Sequence, residues 1–339
     1  MSFHLNDQLA AKIRGKAKPI GALGRIEDLA MQIGLATGSL VPRLGPARVI
    51  VFAGDHGLTA EGVTAYPSVV TAEIAKLVLA GGAGINICAR AGGASVTLVD
   101  AGLLIELPVH PNLISKRIAA GTNNSRREPA MTADQCVAAL DAGRSLDALL
   151  AKENSNLVAF GEVGIGNSSA AALVAHIVTG ADLDMLIGPG AGAPALGLDH
   201  KRNVLKAASA RAKITIADPA IRARLALQEF GGFEMVMMAG AMTAAARSGR
   251  VIVVDGFIAS AVAVAAVALE PRVKTSLVFS HCSAEPGHRA ILDTLGAKPL
   301  FDLGLRLGEG SGAALAIPLV RAAELMLTDM ADLPGEHPA

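Results

Sequence analysis

The sequence predicts an α/β fold in which helices cover both faces of a parallel sheet. Short, continuous apolar runs alternate with longer segments of helical periodicity along most of the chain. Continuous apolar strands are typical of strands buried on both faces, and their alternation with helices indicates a parallel, doubly wound sheet. Glycine makes up 37 of the 339 residues, and many glycines directly follow the apolar runs. The predicted class is therefore Rossmann-like.

The predicted strands are short and aliphatic, at 49–53, 96–99, 157–160, 185–187, 251–254, 277–279 and 300–303. Helices are predicted between them, at about 71–80, 132–150, 168–179, 199–211, 232–248, 257–268 and 285–296. The helix at 132–150 opens on a capping box, because Thr132 precedes Gln135 by three residues.

The two ends of the chain differ from its middle. Residues 5–36 and 313–332 have helical patterns without a strand between them. Because chain termini often lie close together, these ends are predicted to pack on each other. We expect residues 1–40 and 313–339 to form a small helical domain and residues 41–312 to form the large parallel α/β domain.

Composition argues against several classes of protein. A net charge of zero and 3% aromatic residues disfavour a nucleic-acid surface, which needs cations and exposed rings. The longest apolar run, Phe257–Leu269, is shorter than the ~20 residues of a bilayer span. No signal peptide is evident, so we expect a cytoplasmic protein without a membrane partner. The cysteines predict reduced thiols and no disulfide or zinc site: Cys88, Cys136 and Cys282.

Polar residues follow the predicted strands at the point where each strand ends. Asp55 and His56 follow the first strand, Glu162 lies just after the third, and Asp255 and Ser283 follow later ones. In parallel α/β sheets, ligands bind outside the carboxyl ends of the strands. The sequence therefore predicts a ligand site at this edge.

Two glycine-rich loops at this edge are candidate phosphate sites. The loop 161–167 (GEVGIGN) precedes a predicted helix, whose N-terminal N–H groups can hold an anion. The loop 188–192 (GPGAG) is followed by Lys201, about one helical turn into the next element. Neither loop matches a known nucleotide motif, and each alone is more typical of a tight turn. Together, with Lys201 and Ser283 nearby, they favour phosphate binding.

A third loop, Gly308–Gly312, places Glu309 between glycines at the start of a predicted helix. The helix dipole favours an ionised carboxylate there. An ordinary N-terminal helix acid has the same pattern, and the same alternative applies to Glu162. The spacing of three histidines fits no zinc motif, so neither a metal nor a cofactor is expected: His56, His281 and His288.

Three long motifs carry a resemblance to one family: VDGFI (254–258), SAEPGH (283–288) and LRLGEGSGAAL (305–315). With shorter stretches from residue 18 onward, the chain resembles the nicotinate-nucleotide–dimethylbenzimidazole phosphoribosyltransferases. The resemblance implies phosphoribosyl transfer from nicotinate mononucleotide to 5,6-dimethylbenzimidazole. The implied products are nicotinate and α-ribazole 5′-phosphate, for the nucleotide loop of cobalamin. It also implies a parallel α/β domain, a small helical domain and a homodimer.

The resemblance further implies roles for single residues. Glu309 matches the family's general base, and Glu162 matches a second carboxylate of the site. The residues that match the nucleotide-binding positions are Gly164, Gly166, Asn167, Ser168, Gly188, Gly190, Gly192, Lys201 and Ser283. Tyr66 and Ser68 match part of the benzimidazole pocket. The segment from 68 to 73 departs from the family pattern, which leaves the preferred base open.

Two alternatives remain at this point. A metal-dependent hydrolase could use Asp55, His56 and His281, and it would contain a bound metal. A nucleotide-binding protein without turnover could keep the same fold, although a pure binder has no need for the isolated Glu309 carboxylate. Because aromatic residues are scarce, we expect a bound base to contact mainly aliphatic and Met side chains, Phe or Tyr66.

Overall fold

A single parallel sheet organises the computed structural model, which describes residues 2–190 and 195–333. Within these residues the strands are β1 (Ala47–Gly54), β2 (Ala94–Gly102), β3 (Leu113–Ser115), β4 (Leu157–Val163), β5 (Val251–Val254) and β6 (Leu277–Phe279). Their order across the sheet is β3-β2-β1-β4-β5-β6, and every neighbouring pair is parallel. The predicted α/β class is confirmed. The order reverses between β1 and β4, which opens a crevice outside the carboxyl ends of these two strands.

Helices connect the strands and cover the sheet. In the amino-terminal half they are α1 (Ser2–Arg14), α2 (Arg25–Thr37), α3 (Val69–Leu79), α4 (Gly84–Gly92), α5 (Ala133–Ser145), α6 (Asp147–Lys152) and α7 (Asn167–Thr179). In the carboxyl-terminal half they are α8 (Leu183–Leu186), α9 (Ala195–Ala212), α10 (Pro219–Phe230), α11 (Phe233–Arg247), α12 (Phe257–Leu269), α13 (Val273–Ser276), α14 (His288–Leu295) and α15 (Ser311–Thr328). A short 3₁₀ helix spans Gly57–Glu61.

Each face of the sheet has its own hydrophobic core, since successive side chains on a strand point to opposite faces. Phe52 and Phe160 lie in the core that α5, α7, α10, α11 and α12 cover. Val51 lies in the other core, together with Leu29 of α2 and Val320 of α15. The terminal helices therefore share a core with the sheet. Their grouping into a separate small domain stays a prediction.

Two of the predicted strands are wrong. Residues 185 and 186 lie in α8 and Ile187 directly follows it, because the Asp182 carboxylate accepts a hydrogen bond from the N–H of Asp184 at 3.0 Å and caps a helix there. Residues 300–303 form only a single bridge, between Phe301 and His281. In contrast, the edge strand β3 was not predicted, because its residues are only partly buried and it ends in Ser115, so it shows no continuous apolar run.

The capping box at Thr132 is confirmed. The N–H of Gln135 donates to Oγ1 of Thr132 at 3.2 Å, and the N–H of Thr132 donates to Oε1 of Gln135 at 3.0 Å. The helix that begins there ends earlier than predicted, because the chain breaks at Leu146 into α5 and α6.

Among the residues that the structure describes, two apolar segments are long enough to cross a membrane by length and composition, and the fold accounts for both. Residues 69–92 comprise α3 and α4, which a turn at 80–83 separates. Helix α15 is the other segment. It packs against α2 and α4, and Ala313, Ile317 and Val320 on this helix are buried. Its apolar side chains thus belong to a protein core.

Helices α5 and α11 pack with their backbones in contact. A Cβ atom on Gly143 would lie 1.9 Å from the carbonyl oxygen of Met237, and one on Gly240 would lie 2.1 Å from the carbonyl oxygen of Leu140. Both distances are far below van der Waals contact. Glycine at these two positions therefore sets how closely α11 approaches α5.

We expect Gly143→Ala to lower the free energy of unfolding by about 1–3 kcal/mol, because the added methyl forces the two helices apart. Urea unfolding followed by circular dichroism measures this effect. Gly82→Ala is the matched control, since a Cβ there meets nothing within 4 Å. An equal loss of stability in both variants would contradict the packing argument.

Candidate active site

A cavity of about 570 Å³ lies at the carboxyl edge of the sheet. The loops that follow β4, β5 and β6 form much of its wall. The turn before α15 closes one side, and α9 contributes Lys201. The cavity therefore occupies the edge where the sequence predicts a ligand site.

This cavity brings together most of the predicted site residues, namely Tyr66, Glu162, Gly164, Gly166, Asn167, Ser168, Gly190, Lys201, Ser283 and Glu309. Gly188 lies behind the wall, where its carbonyl oxygen accepts a hydrogen bond from Lys201. Ser68 lines a neighbouring cavity of about 320 Å³, which shares Tyr66 with the main one. Gly192 lies outside the described residues.

Glu309 lies in a turn of three consecutive left-handed residues. The φ angles of Gly308, Glu309 and Gly310 are 81°, 65° and 87°. This conformation is unfavourable for a glutamate and persists only where surrounding contacts hold it. The Glu309 N–H donates to the carbonyl oxygen of Glu162 at 3.2 Å, and Oε2 of Glu309 accepts from the N–H of Ile85 at 3.0 Å. The residue is thereby anchored to both β4 and α4.

Glycine allows this turn to touch β4. A Cβ on Gly161 would lie 2.2 Å from the nitrogen of Gly310, and one on Gly308 would lie 2.6 Å from Oε1 of Glu162. Asp255 holds the turn from the other side. Its Oδ2 accepts from the N–H of Gly310 and its Oδ1 from the N–H of Ala313, both at 3.0 Å. The turn is thus clamped between β4 and the loop after β5.

Burial governs the pKa of two carboxyl groups of the cavity, Glu162 and Glu309. It raises the pKa of Glu162 well above its ordinary value, and the charges of Asp255 and Glu234 raise it further. The amide of Asn167 donates to Oε2 of Glu162, which opposes this shift. Burial also raises the pKa of Glu309, against the hydrogen bond from Ile85. Both groups are stronger bases here than in water.

Lys201 forms the cationic end of the cavity. Its side chain is almost completely buried, and Nζ donates to the carbonyl oxygen of Gly188 at 2.9 Å and to Oγ of Ser168 at 3.3 Å. Burial lowers the pKa of Lys201 to about 8, and the charge of Glu285 partly opposes that shift. Ser168 lies in the first turn of α7, at the end of the helix where the dipole favours anions. These groups together suit a phosphate.

Two histidines, His288 and His56, bind neighbouring protein groups around the site. Nδ1 of His288 accepts from the N–H of Ser283 at 2.8 Å, so Nε2 carries the proton and donates to Oγ of Ser260 at 2.8 Å. Burial lowers the pKa of His288 to about 3. His56 is 2.7 Å from Oε1 of Glu234. No group of three possible metal ligands occurs within the described ranges, so the hydrolase alternative finds no support there.

Much of the remaining cavity wall is aliphatic. Tyr66 is 49% exposed and borders both cavities. Its apolar neighbours in the wall include Val70, Ile74, Val163, Ile165, Phe257, Leu305 and Leu307. No Met side chain is among the lining residues of the described chain. A flat, uncharged ring fits such a surface.

Three residues of the cavity have no role predicted from the sequence. Asp255 is visible there only as a polar residue after a strand, and Glu285 and Arg306 carry no local pattern that assigns them a role. Glu285 lies beside Lys201, while Arg306 is exposed on the turn before Glu309. Glu285 lies in the motif SAEPGH and Arg306 in LRLGEGSGAAL, so membership of these motifs was the sequence signal that could have identified them.

Comparisons with known proteins agree on one family. A family model described as "Phosphoribosyltransferase" matches residues 1–335. The chain is 49% identical over 331 residues to the nicotinate-nucleotide–dimethylbenzimidazole phosphoribosyltransferase of Cupriavidus necator, covering 98% of this chain and 94% of that protein. It is 46% identical over 314 residues to the Pseudomonas aeruginosa protein of the same name, covering 93% and 88%.

A solved structure supports the same relationship. The crystal structure of the Thermus thermophilus enzyme of that name matches with a TM-score of 0.91 and 38% identity, covering 98% of this chain and 97% of that one. Identity at this level over nearly whole chains shows the family as well as the fold. The chain therefore belongs to the nicotinate-nucleotide–dimethylbenzimidazole phosphoribosyltransferase family.

Proposed function

We propose that this chain transfers the phosphoribosyl group of nicotinate mononucleotide to 5,6-dimethylbenzimidazole, giving α-ribazole 5′-phosphate and nicotinate. One observation carries the proposal. A single cavity contains the buried Glu309 carboxylate, an aliphatic surface, and an anion site built from Lys201 and Ser168. These three features correspond to a base, a flat heterocycle and a 5′-phosphate.

The reaction makes one bond and breaks one. A lone pair on one azole nitrogen forms the bond to C1′ of the ribose, while the bond from C1′ to the pyridinium nitrogen breaks. The electron pair of the broken bond returns to the pyridine ring, which leaves without needing a proton. The other azole nitrogen then carries an acidic N–H. Its proton needs one general base, so the chemistry requires a single carboxylate.

Glu309 is the proposed base. The Ile85 N–H is the one hydrogen-bond donor recorded for its carboxylate among the described residues, and it binds Oε2. The second oxygen is thus available to accept the azole proton. The raised pKa of Glu309 makes it a better proton acceptor than an exposed glutamate. Its contact with the azole N–H would also orient the attacking ring.

Glu162 is proposed to stabilise positive charge at C1′. Burial favours its neutral form in the free protein. A pyridinium substrate, and the cationic centre that develops during transfer, would favour the ionised form again. A carboxylate in a site with little water stabilises such charge more strongly than one in solution.

The phosphate is proposed to bind where Lys201, Ser168 and the loop around Gly190 meet. A Cβ on Gly190 would lie 2.6 Å from Oγ of Ser168, so only glycine lets this loop approach. The phosphate is remote from the reacting bond, and its binding energy serves to fix the ribose. A homodimer and a cytoplasmic location stay predictions.

The proposed function predicts specific products. Incubation with nicotinate mononucleotide and a panel of bases should release nicotinate and give a ribotide of matching mass, with 5,6-dimethylbenzimidazole among the bases used. Mass spectrometry of the products measures both. Thermal stabilisation by nicotinate mononucleotide without nicotinate release would instead support the binding protein without turnover.

Glu309→Gln should lower kcat by about 10²- to 10⁴-fold, because the amide cannot accept the azole proton. The KM for nicotinate mononucleotide should change little. Steady-state kinetics with both substrates saturating measures the effect. Glu106→Gln, at a largely exposed carboxylate that pairs with Arg117, is the control and should behave as wild type. A kcat near that of wild type in Glu309→Gln would remove Glu309 from the role of base.

The KM for nicotinate mononucleotide should rise as the pH passes above about 8, because Lys201 then loses its proton in the free enzyme. Below this pH the cation is present and binding is stronger. The dephosphorylated riboside lacks the partner of Lys201, so its KM should not show this rise. Parallel pH profiles of KM for the two substrates test the assignment. Profiles that rise equally would place the phosphate elsewhere.

A further inference from the structure

Asp255 connects β5 to the Gly308–Gly312 turn, which carries Glu309. It follows the last residue of β5, is 2% exposed, and lines the main cavity. Each of its oxygens accepts one backbone N–H, from Gly310 and from Ala313. These two donors belong to the turn that carries Glu309 and to the first turn of α15.

We propose that Asp255 is the positioning residue of the transfer reaction, a role that rests on the proposed function: its carboxylate holds the Gly308–Gly312 turn in the conformation that directs Glu309 into the cavity. Asp255 acts through Glu309 and need not touch the substrate.

The turn needs a partner from outside. Gly310 stands at the N-cap of α15 with a φ of 87°, and it has no side chain with which to cap the helix. A serine or aspartate there would supply a cap, but it would be strained in a left-handed conformation. Asp255, 55 residues from Gly310, supplies the missing acceptor, because its Oδ1 accepts from the N–H of Ala313, the third residue of the helix. The glycine thus sets the shape of the turn, while Asp255 satisfies its N–H groups.

The groups around Asp255 are mostly acidic. Glu162 faces it from β4, Glu309 from the turn, and Cys88 from α4. Nε2 of His281 is 3.6 Å from Oδ1 of Asp255. The negative charge of Asp255 raises the pKa of Glu309 and of Glu162. Asp255 therefore influences the base through its charge as well as through its hydrogen bonds.

Asp255→Asn tests the charge and the hydrogen bonds of Asp255 without unfolding the protein, because asparagine has almost the same shape as aspartate. It keeps one acceptor oxygen and loses the charge. We expect kcat to fall by about 10- to 100-fold, since a misplaced base costs rate, while the KM for nicotinate mononucleotide stays within about twofold. The acid limb of the kcat profile should move to lower pH, because the pKa of Glu309 falls when its negative neighbour is removed.

Two further variants complete the design. Asp100→Asn is the matched control, since the buried Asp100 carboxylate accepts a backbone N–H from Leu103 at 2.9 Å beside another strand end. It should leave kcat and the acid limb unchanged. Gly310→Ala strains the same turn but keeps the charge of Asp255, since a Cβ there would lie 3.0 Å from Cγ1 of Val49. It should lower kcat without the shift in pH.

A readout without substrate distinguishes this proposal from the proposed function. The protein is labelled with ¹³C at its glutamate carboxyl groups and titrated by NMR. The signal that is absent from Glu309→Gln identifies Glu309. The titration of this signal should move to lower pH in Asp255→Asn. If this titration moves but the wild type releases no nicotinate, the proposed function fails and the positioning role fails with it. Active wild type, with kcat and the titration of Glu309 unchanged in Asp255→Asn, would overturn the role of Asp255 alone.

Discussion

The contact between Gly161 on β4 and the backbone of Glu309 and Gly310 is the constraint on which the site depends. Because no side chain stands between them, the turn lies directly on the sheet. This places Glu309 within reach of the Ile85 N–H and beside Glu162. Any side chain at residue 161 would displace the turn and move Glu309, the proposed base, away from the cavity.

Burial has the same consequence for three titratable groups of the cavity, Glu162, Glu309 and Lys201, since it favours the neutral form. The pKa values of Glu162 and Glu309 rise, whereas that of Lys201 falls. In the free protein these groups therefore carry less charge than they would in water. Nicotinate mononucleotide would bring its cationic ring to the two carboxyl groups and its anionic phosphate to Lys201. The substrate would thus restore the charges that burial suppresses in the free protein.

The sequence predicts well that the candidate site lies at the carboxyl edge of the sheet. The carboxyl ends of parallel strands meet at one edge, and the polar residues that follow them are visible as a pattern. Lys201 and Ser168 meet as the glycine loops suggest. The helix at residues 183–186 was mistaken for a strand because its cap, Asp182, precedes only a very short helix. The contact between Asp255 and Gly310 was beyond prediction, since the two residues are 55 positions apart and no local motif indicates the contact.

The hydrogen bond from Ile85 to Glu309 joins residues 224 positions apart in the sequence. Contacts of such separation are formed late, because closing a long loop costs entropy before it gains any interaction. During synthesis, β1, β2 and β4 emerge from the ribosome well before residue 309. The sheet edge can thus assemble before Glu309, the proposed base, arrives, and the proposed transfer would become possible only when α15 docks. A nascent chain would be folded in large part while still chemically inert.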